Sequence, residues 1–132
     1  MRLRARNVTA SESPANIRLY LGQSFIAPGK EYEVHALAVF RGVTAVQVVD
    51  DIDMPSWRPA WLFDVVDRSL ADDWVINLFH EEPSLVMGPD FIARDVESYN
   101  AMVDLDEDQL DRFWKRIALR EAQARGPDDG DG

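Results

Sequence analysis

Histidine and carboxylate side chains are the groups whose types and spacing could support acid–base or metal chemistry in this chain. There are only two histidines, His35 and His80. His80 precedes Glu81 and Glu82, a combination that can bind a metal but lacks the second histidine four residues away found in zinc-protease helices. His35 lies within an apolar run, where a core histidine is expected more often than a ligand or a base. A small hydrolase or metal-dependent enzyme using His80 and nearby carboxylates is therefore the alternative interpretation.

Other catalytic signatures are missing from the sequence. It contains no glycine-rich phosphate loop and no GxSxG nucleophile elbow. Cysteine is absent, which excludes disulfides, thiolate nucleophiles and zinc–cysteine sites. We expect no catalytic residues, no metal site and no cofactor. A non-enzymatic role is favoured, although the sequence leaves the question of activity open.

The most distinctive segment is an acidic and aromatic stretch between residues 50 and 61. Its aspartates are spaced loosely like calcium ligands, but the central glycine and closing glutamate of a calcium loop are missing. Pro55 and Pro59 argue against a central strand or a helix interior, so the stretch is predicted to be a loop. A solvated acidic loop is the simplest interpretation. The functional interpretation is a recognition loop with carboxylates for basic side chains and an aromatic anchor. Its predicted partner-binding residues are Asp50, Asp51, Asp53, Trp57 and Arg58.

The formal net charge is −10, from 14 basic and 24 acidic residues. Such a surface repels phosphate backbones, so no nucleic-acid partner is expected. The charge favours either simple solubility or a basic protein partner steered by charge complementarity. No apolar run approaches the roughly 20 residues of a membrane helix, and no signal peptide is evident, so we expect a cytoplasmic protein without a membrane partner. The oligomeric state stays open, and an oligomeric accessory protein is a further alternative.

A β-hairpin between residues 32 and 51 is the strongest structural signal. The runs 32–40 and 43–50 are rich in β-branched and alternating residues, and Arg41-Gly42 between them suits a two-residue turn. Both faces of the two runs are largely apolar. The pair is therefore predicted to be central, covered on its two faces by a helix and by other strands or a barrel wall.

The remaining elements follow from shorter patterns. Residues 2–8 are predicted to form an edge strand with outward arginines. Ser13-Pro14 begins a short helix that ends at Gly22. Residues 62–66 and 74–79 are predicted to form a second hairpin, and residues 85–87 and 91–93 are predicted to be short extended pieces.

Two helices are predicted near the C-terminus. Asp95 caps a short one. A longer one begins after Asp106, with Gln109 completing a capping box. Its apolar stripe, including Trp114 as a core residue, consists of Leu110, Phe113, Trp114, Ile117 and Ala124.

These elements predict a single α+β domain over residues 1–125 and an acidic, disordered tail over residues 126–132. The expected architecture is a bent antiparallel sheet or small open barrel of five to six strands. A long C-terminal helix and a short N-terminal helix complete it.

The stretch from Gly29 to Ile76 also carries a resemblance. The segment GKEYEVHAL is followed by a hairpin, an acidic pair, the pattern PxWxPAxLFDVVD that begins at Pro55, and a strand led by Trp74. This order resembles a loose group of small uncharacterised bacterial proteins, some of which resemble immunity proteins of polymorphic toxin systems. The resemblance implies a single α+β domain and a binding role, most concretely an acidic protein that neutralises a basic toxin domain.

Overall fold

The computed structural model describes residues 1–8, 14 and 26–125. The strands are β1 Arg2–Ala5, β2 Glu31–Glu33, β3 Ala36–Phe40, β4 Val43–Val49, β5 Pro55–Pro59, β6 Phe63–Asp67, β7 Trp74–Leu78 and β8 Leu85–Pro89. The helices are α1 Asp90–Ala93, α2 Val96–Val103 and α3 Glu107–Arg125, and a 3-10 turn at Ala60–Leu62 precedes β6. The predicted helix between Ser13 and Gly22 and the predicted tail over residues 126–132 lie outside the described residues.

The strands form two open antiparallel sheets. One has three strands in the order β2-β1-β6, and the other has five in the order β5-β4-β3-β8-β7. The α+β class, the open bent sheet and the long C-terminal helix are confirmed. The described residues contain eight strands where five or six were expected. None of the described helices has both the length and the apolar character needed to cross a membrane.

The hairpin of β3 and β4 is confirmed. Phe40 pairs with Val43, and the turn residues Arg41 and Gly42 both have positive φ angles, 50° and 78°. These angles match a turn whose twist suits a hairpin, and glycine adopts them at little cost. Both strands have neighbours on each side, so the predicted central position is also confirmed.

The predicted single strand over residues 32–40 is wrong, because the chain changes sheets at Val34 and His35. The amide of Val34 donates to Met1 O at 2.9 Å, beside β1. The next amide, of His35, donates to Gln47 O on β4 at 2.8 Å. One continuous apolar run therefore supplies β2 to the first sheet and β3 to the second.

Strand β1 is central in its sheet, and its predicted edge position is wrong. It pairs with β2 on one side and with β6 on the other. The predicted alternation does hold: Leu3 and Ala5 are buried, while Arg2 and Arg4 are exposed. The outward arginines meet acidic neighbours, as in the 2.8 Å contact between Arg4 and Glu31.

The second predicted hairpin is also wrong. Strand β6 pairs with β1, whereas β7 pairs with β8. The connection over residues 68–73 is too long to act as a tight turn, so it does not dictate which strands pair. Residues 91–93, predicted to be extended, lie in the short helix α1.

Two apolar cores lie on opposite faces of the five-stranded sheet. The first joins this sheet to the three-stranded sheet and consists of Leu3, Ala5, Tyr32, Val34, Val46, Val48, Leu62 and Phe63. The second joins it to the helices and consists of Ala36, Ala38, Val86, Ile92, Ala93, Tyr99, Met102 and Phe113. The molecule is therefore layered as sheet, sheet and helices, with β3 and β4 between the two cores.

The helix starts agree only in part with the sequence. The Asp95 cap is confirmed, since its carboxylate accepts from the Ser98 amide at 2.7 Å. At α3, Asp106 Oδ2 accepts from the Asp108 amide at 3.2 Å. The predicted capping box is wrong, because the Gln109 side chain donates to Phe91 O and Ser98 O.

Trp114 was expected in the core of α3, and this expectation is wrong. The residue is 38% exposed, whereas its neighbour Phe113 is 2% exposed. A helix buries only one stripe, and adjacent residues are about 100° apart around its axis. Phe113, and not Trp114, lies on the stripe of α3 that faces the sheet and α1.

Candidate functional site

The predicted recognition loop is a tight turn followed by an edge strand. Asp50 is 5% exposed, and its Oδ1 accepts from the amides of Ile52 and Met54, both at 3.1 Å. This carboxylate therefore holds the turn together. The prediction of a loop is wrong for residues 55–59, which form β5 at the edge of the sheet. The two prolines bound this strand, where fewer ladder hydrogen bonds are needed.

Asp51 ties the same turn to β2. Its Oδ1 accepts from Lys30 Nζ at 2.7 Å and from the Tyr32 hydroxyl at 2.9 Å. The hydrogen bond from Lys30, followed by the one from Tyr32, lowers the pKa of Asp51 below its ordinary 3.8. Asp51 is thus already engaged by a basic side chain of its own chain.

The remaining predicted site residues do not share one surface. Trp57 pairs with Gln47 and faces the helices, with its ring centroid 5.1 Å from that of Tyr99. Arg58 pairs with Val46 and faces the other side of the sheet. Asp53 is exposed and has a φ angle of 60°. The binding role of these residues stays a prediction. Asp53→Asn tests it best, because asparagine tolerates a positive φ angle and the substitution removes only the charge.

His80, Glu81 and Glu82 are exposed and lie between β7 and β8. Glu82 Oε1 accepts from the Arg41 amide at 2.6 Å, which ties this connection to the hairpin turn. Over residues 1–8, 14 and 26–125, no cluster of three or more histidine, aspartate or glutamate side chains is arranged to hold a metal.

A small aromatic cavity lies beside Trp57 on the helix side of the sheet. It has a volume of about 90 Å³, and its aromatic lining residues are Phe40, Trp57 and Tyr99. Small-molecule sites usually have about 300–1,000 Å³, so this cavity is too small for most cofactors or substrates.

An apolar patch on β7, β8 and β3 is the surface that sequence reasoning missed. Leu78 pairs with Leu85, which pairs with Val39 in turn, and Ile76 pairs with Met87. Directly paired residues share a face of the sheet. We define the β7 patch as Val39, Ile76, Leu78, Leu85 and Met87.

The β7 patch faces away from the helices and is open at its outer edge. Asn77, between its two β7 members, points the opposite way and donates to Ala93 O of α1 at 2.6 Å. Leu78 is 74% exposed and Ile76 is 55% exposed. Contiguous exposed apolar residues of this kind mark interaction surfaces more often than isolated ones do.

Strand β7 differs from the other edge strands of the two described sheets. Edges are normally protected by prolines, charges or short length. Strand β5 is bounded by prolines, β2 has three residues of which two are glutamates, and β6 contains Asp64 and Asp67. Strand β7, with the sequence WVINL, has none of these protections.

No sequence signal distinguished this edge. An uncharged strand that is apolar on both faces is typical of a buried position, which is how it would be interpreted from the sequence alone. Its exposure arises because β6, its predicted partner, pairs with the other sheet.

Gln47 is a second residue that the sequence did not indicate. It is fully buried between Ala36 and Trp57, and neither side-chain amide atom has a hydrogen-bond partner among the described residues. A buried, unpaired amide lowers stability. Gln109 is the matched contrast, since its buried amide donates to two carbonyls at 2.7 and 3.0 Å.

These two glutamines are expected to respond oppositely to the same substitution. Gln47→Met keeps the shape and removes an unpaired amide, so the free energy of unfolding should rise by about 1 kcal/mol. Gln109→Met removes the hydrogen bonds to two half-buried carbonyls, so the free energy of unfolding should fall by about 1 kcal/mol. Urea denaturation at neutral pH measures both. Equal losses in the two variants would show that the Gln47 amide is satisfied in solution.

No family model, no curated protein and no solved structure matches this chain. The resemblance to immunity proteins therefore stays an expectation.

Proposed function

We propose that this protein is a non-enzymatic binding module whose partner protein docks on the β7 patch. The observation that carries the proposal is the exposure of Leu78 and Ile76 on an uncharged edge strand. Burying two such side chains contributes about 1.5–3 kcal/mol each, enough to form the centre of an interface.

The charge distribution favours a basic partner. The chain carries a formal net charge of −10. Asp72 precedes β7, while Glu81 and Glu82 follow it, so acidic residues flank the apolar strand at both ends. Asp73 also precedes β7, but Arg116 of α3 already pairs with its carboxylate at 2.6 Å. Such an arrangement accelerates association with a basic surface and disfavours acidic competitors.

In its most specific form, the proposal is an immunity-type protein that neutralises a basic toxin domain. The acidic charge and the resemblance of residues 29–76 support this role. Neutralisation would require only tight occlusion of the toxin surface, so no catalytic group on this chain is needed.

Affinity capture with matched variants tests the proposal. Ile76→Asp places a charge in the β7 patch, whereas Ile52→Asp places one on a residue of similar exposure, 54% against 55%, in the turn between β4 and β5. From a lysate of the source organism, Ile76→Asp should retain at least about tenfold less of a stoichiometric basic partner, equivalent to about 1.4 kcal/mol. Ile52→Asp should capture like the wild type.

Thermal unfolding must first show that both variants remain folded. Equal retention by both would contradict docking on the β7 patch, and the lack of any stoichiometric partner would contradict the binding role. The immunity-type role further requires that the captured protein be toxic in cells and that the wild type, but not Ile76→Asp, suppress its toxicity.

A further inference from the structure

The backbone of β7 has a defined polarity. In an antiparallel ladder, the amide and carbonyl groups of alternate residues point to alternate sides. The amide of Phe79 donates to Ser84 O on the β8 side at 2.9 Å. By the same alternation, Asn77 and Val75 point towards β8, while Leu78 and Ile76 direct their amides and carbonyls to the open edge.

The pairing of Trp74 with Pro89 agrees with this polarity. Proline has no amide hydrogen, so a position opposite proline suits a residue that does not exchange hydrogen bonds across the pair. The amide of Trp74 instead donates to Ala71 O, away from β8, at 3.2 Å. No described strand pairs with the outer edge of β7.

From this geometry we infer that β7 binds its partner by strand addition. An extended segment of the partner pairs with the outward amides and carbonyls of Ile76 and Leu78, and its alternate apolar side chains extend the β7 patch. This inference rests on the proposed function and specifies its binding mode.

The flanking charges define the chemistry of the added strand. Acidic residues at both ends of β7 complement an apolar strand with basic residues at both of its ends. A second copy of this chain is the wrong occupant. Antiparallel self-pairing that places Ile76 of one copy opposite Leu78 of the other would bring Asp72 of each copy opposite Glu82 of its neighbour, and like charges in register destabilise a sheet.

A synthetic peptide tests the chemistry of the added strand. It has alternating valine and threonine with two lysines at each end, and its control has glutamates in place of the lysines. In titrations of the full, isotope-labelled chain, the lysine peptide should shift the amide resonances of Ile76 and Leu78 and bind at least about tenfold more tightly than the glutamate peptide. No shift at millimolar lysine peptide, or equal binding of the two peptides, would overturn the inference.

The variants Leu78→Ala and Leu78→Pro separate the backbone contribution from the side chain. Both remove the leucine, but only proline removes the outward amide, and it leaves the hydrogen bonds to β8 intact. Leu78→Pro should bind the lysine peptide about fivefold more weakly than Leu78→Ala, the effect of one net hydrogen bond. Thermal unfolding checks that both fold. If Leu78→Pro does not fold, the same comparison is made with a peptide methylated on all its backbone nitrogens.

The outcomes distinguish this inference from the proposed function. If Ile76→Asp abolishes capture of the partner while loss of the outward amide has no effect on peptide binding, the β7 patch is a docking surface without strand addition.

Hydrogen exchange of the free protein tests whether the outer edge of β7 is open. The amides of Ile76 and Leu78 should exchange rapidly. Slow exchange in a monomer would mean that this chain already covers the edge, and slow exchange in a dimer would assign the edge to a second copy. Either result overturns the inference.

Discussion

Lowering the pH from 6.5 to 4 should destabilise the folded protein by about 3 kcal/mol through the protonation of one residue, His35. Burial lowers the pKa of His35 from its ordinary 6.5 to about 4. Arg116 and Arg120 of α3 and the N-terminal amine also lower this pKa, while Glu33 of β2 opposes them. The imidazole is 5% exposed, and its ring centroid lies 5.0 Å from that of Phe113.

The direction of the effect follows from proton binding in the two states. Between pH 6.5 and about 4, the unfolded chain carries a proton on His35 and the folded chain does not. Protonation therefore favours unfolding, and the stability present above pH 6.5 is lost progressively as the pH falls to about 4. The difference between the two pKa values corresponds to about 3 kcal/mol.

Urea denaturation across this pH range measures the loss, and His35→Gln is the control. The carboxyl groups with lowered pKa values, including Asp51 and Asp73, lose their contribution below their ordinary 3.8 and so affect a lower pH range. The free energy of unfolding of His35→Gln should change much less between pH 6.5 and 4. Parallel curves for the two proteins would show that His35 is accessible to water when folded.

Phe113→Ala should lower the free energy of unfolding by about 4 kcal/mol. Phe113 is 2% exposed and lies in the core between the helices and the five-stranded sheet. Its removal forfeits the burial of a large ring and leaves a cavity that the sheet and helices cannot close. Because a small domain has only about 5–15 kcal/mol of stability, this loss is a large part of the total.

Trp114→Ala is the matched control for this substitution. It removes a larger aromatic ring from the adjacent residue of α3, but that residue is 38% exposed. We expect a loss of about 1 kcal/mol, mostly from the edge-on contact with Phe113. Thermal or urea unfolding of both variants measures the difference, and a larger loss for Trp114→Ala would reverse the assignment of the buried stripe.

Features confined to a few neighbouring residues could be predicted from the sequence. The turn at Arg41-Gly42 and the cap at Asp95 were both predicted and confirmed. Their geometry depends on the conformational range of glycine and on an oxygen placed close to free amides, and no distant part of the chain is needed.

Strand partnership could not be predicted in the same way. The run 32–40 alternates as one strand, yet it crosses between the sheets at Val34 and His35. The strands of the expected second hairpin pair with β1 and β8 instead of with each other. Alternation specifies which side chains face a core, but it does not specify which core or which neighbouring strand.

The location of the candidate site depends on strand pairing, which could not be predicted from the sequence. The sequence directed attention to Asp50 and Asp51 because they are charged and adjacent to Trp57. In the fold, their carboxylates hold a turn and bind Lys30 and Tyr32. The apolar residues Ile76 and Leu78 drew no attention, because an apolar side chain is informative only when its exposure is known.

The sequence by itself determined the α+β class, the central hairpin, the long C-terminal helix and the acidic charge, since each depends on local periodicity or composition. Only the tertiary structure decided that the uncharged strand β7 lies at the edge of a sheet, that His35 is buried against Phe113, and that Trp114 is exposed. Exposure and pairing are properties of contacts between residues far apart in the chain. They are set when the two sheets and the helices pack together.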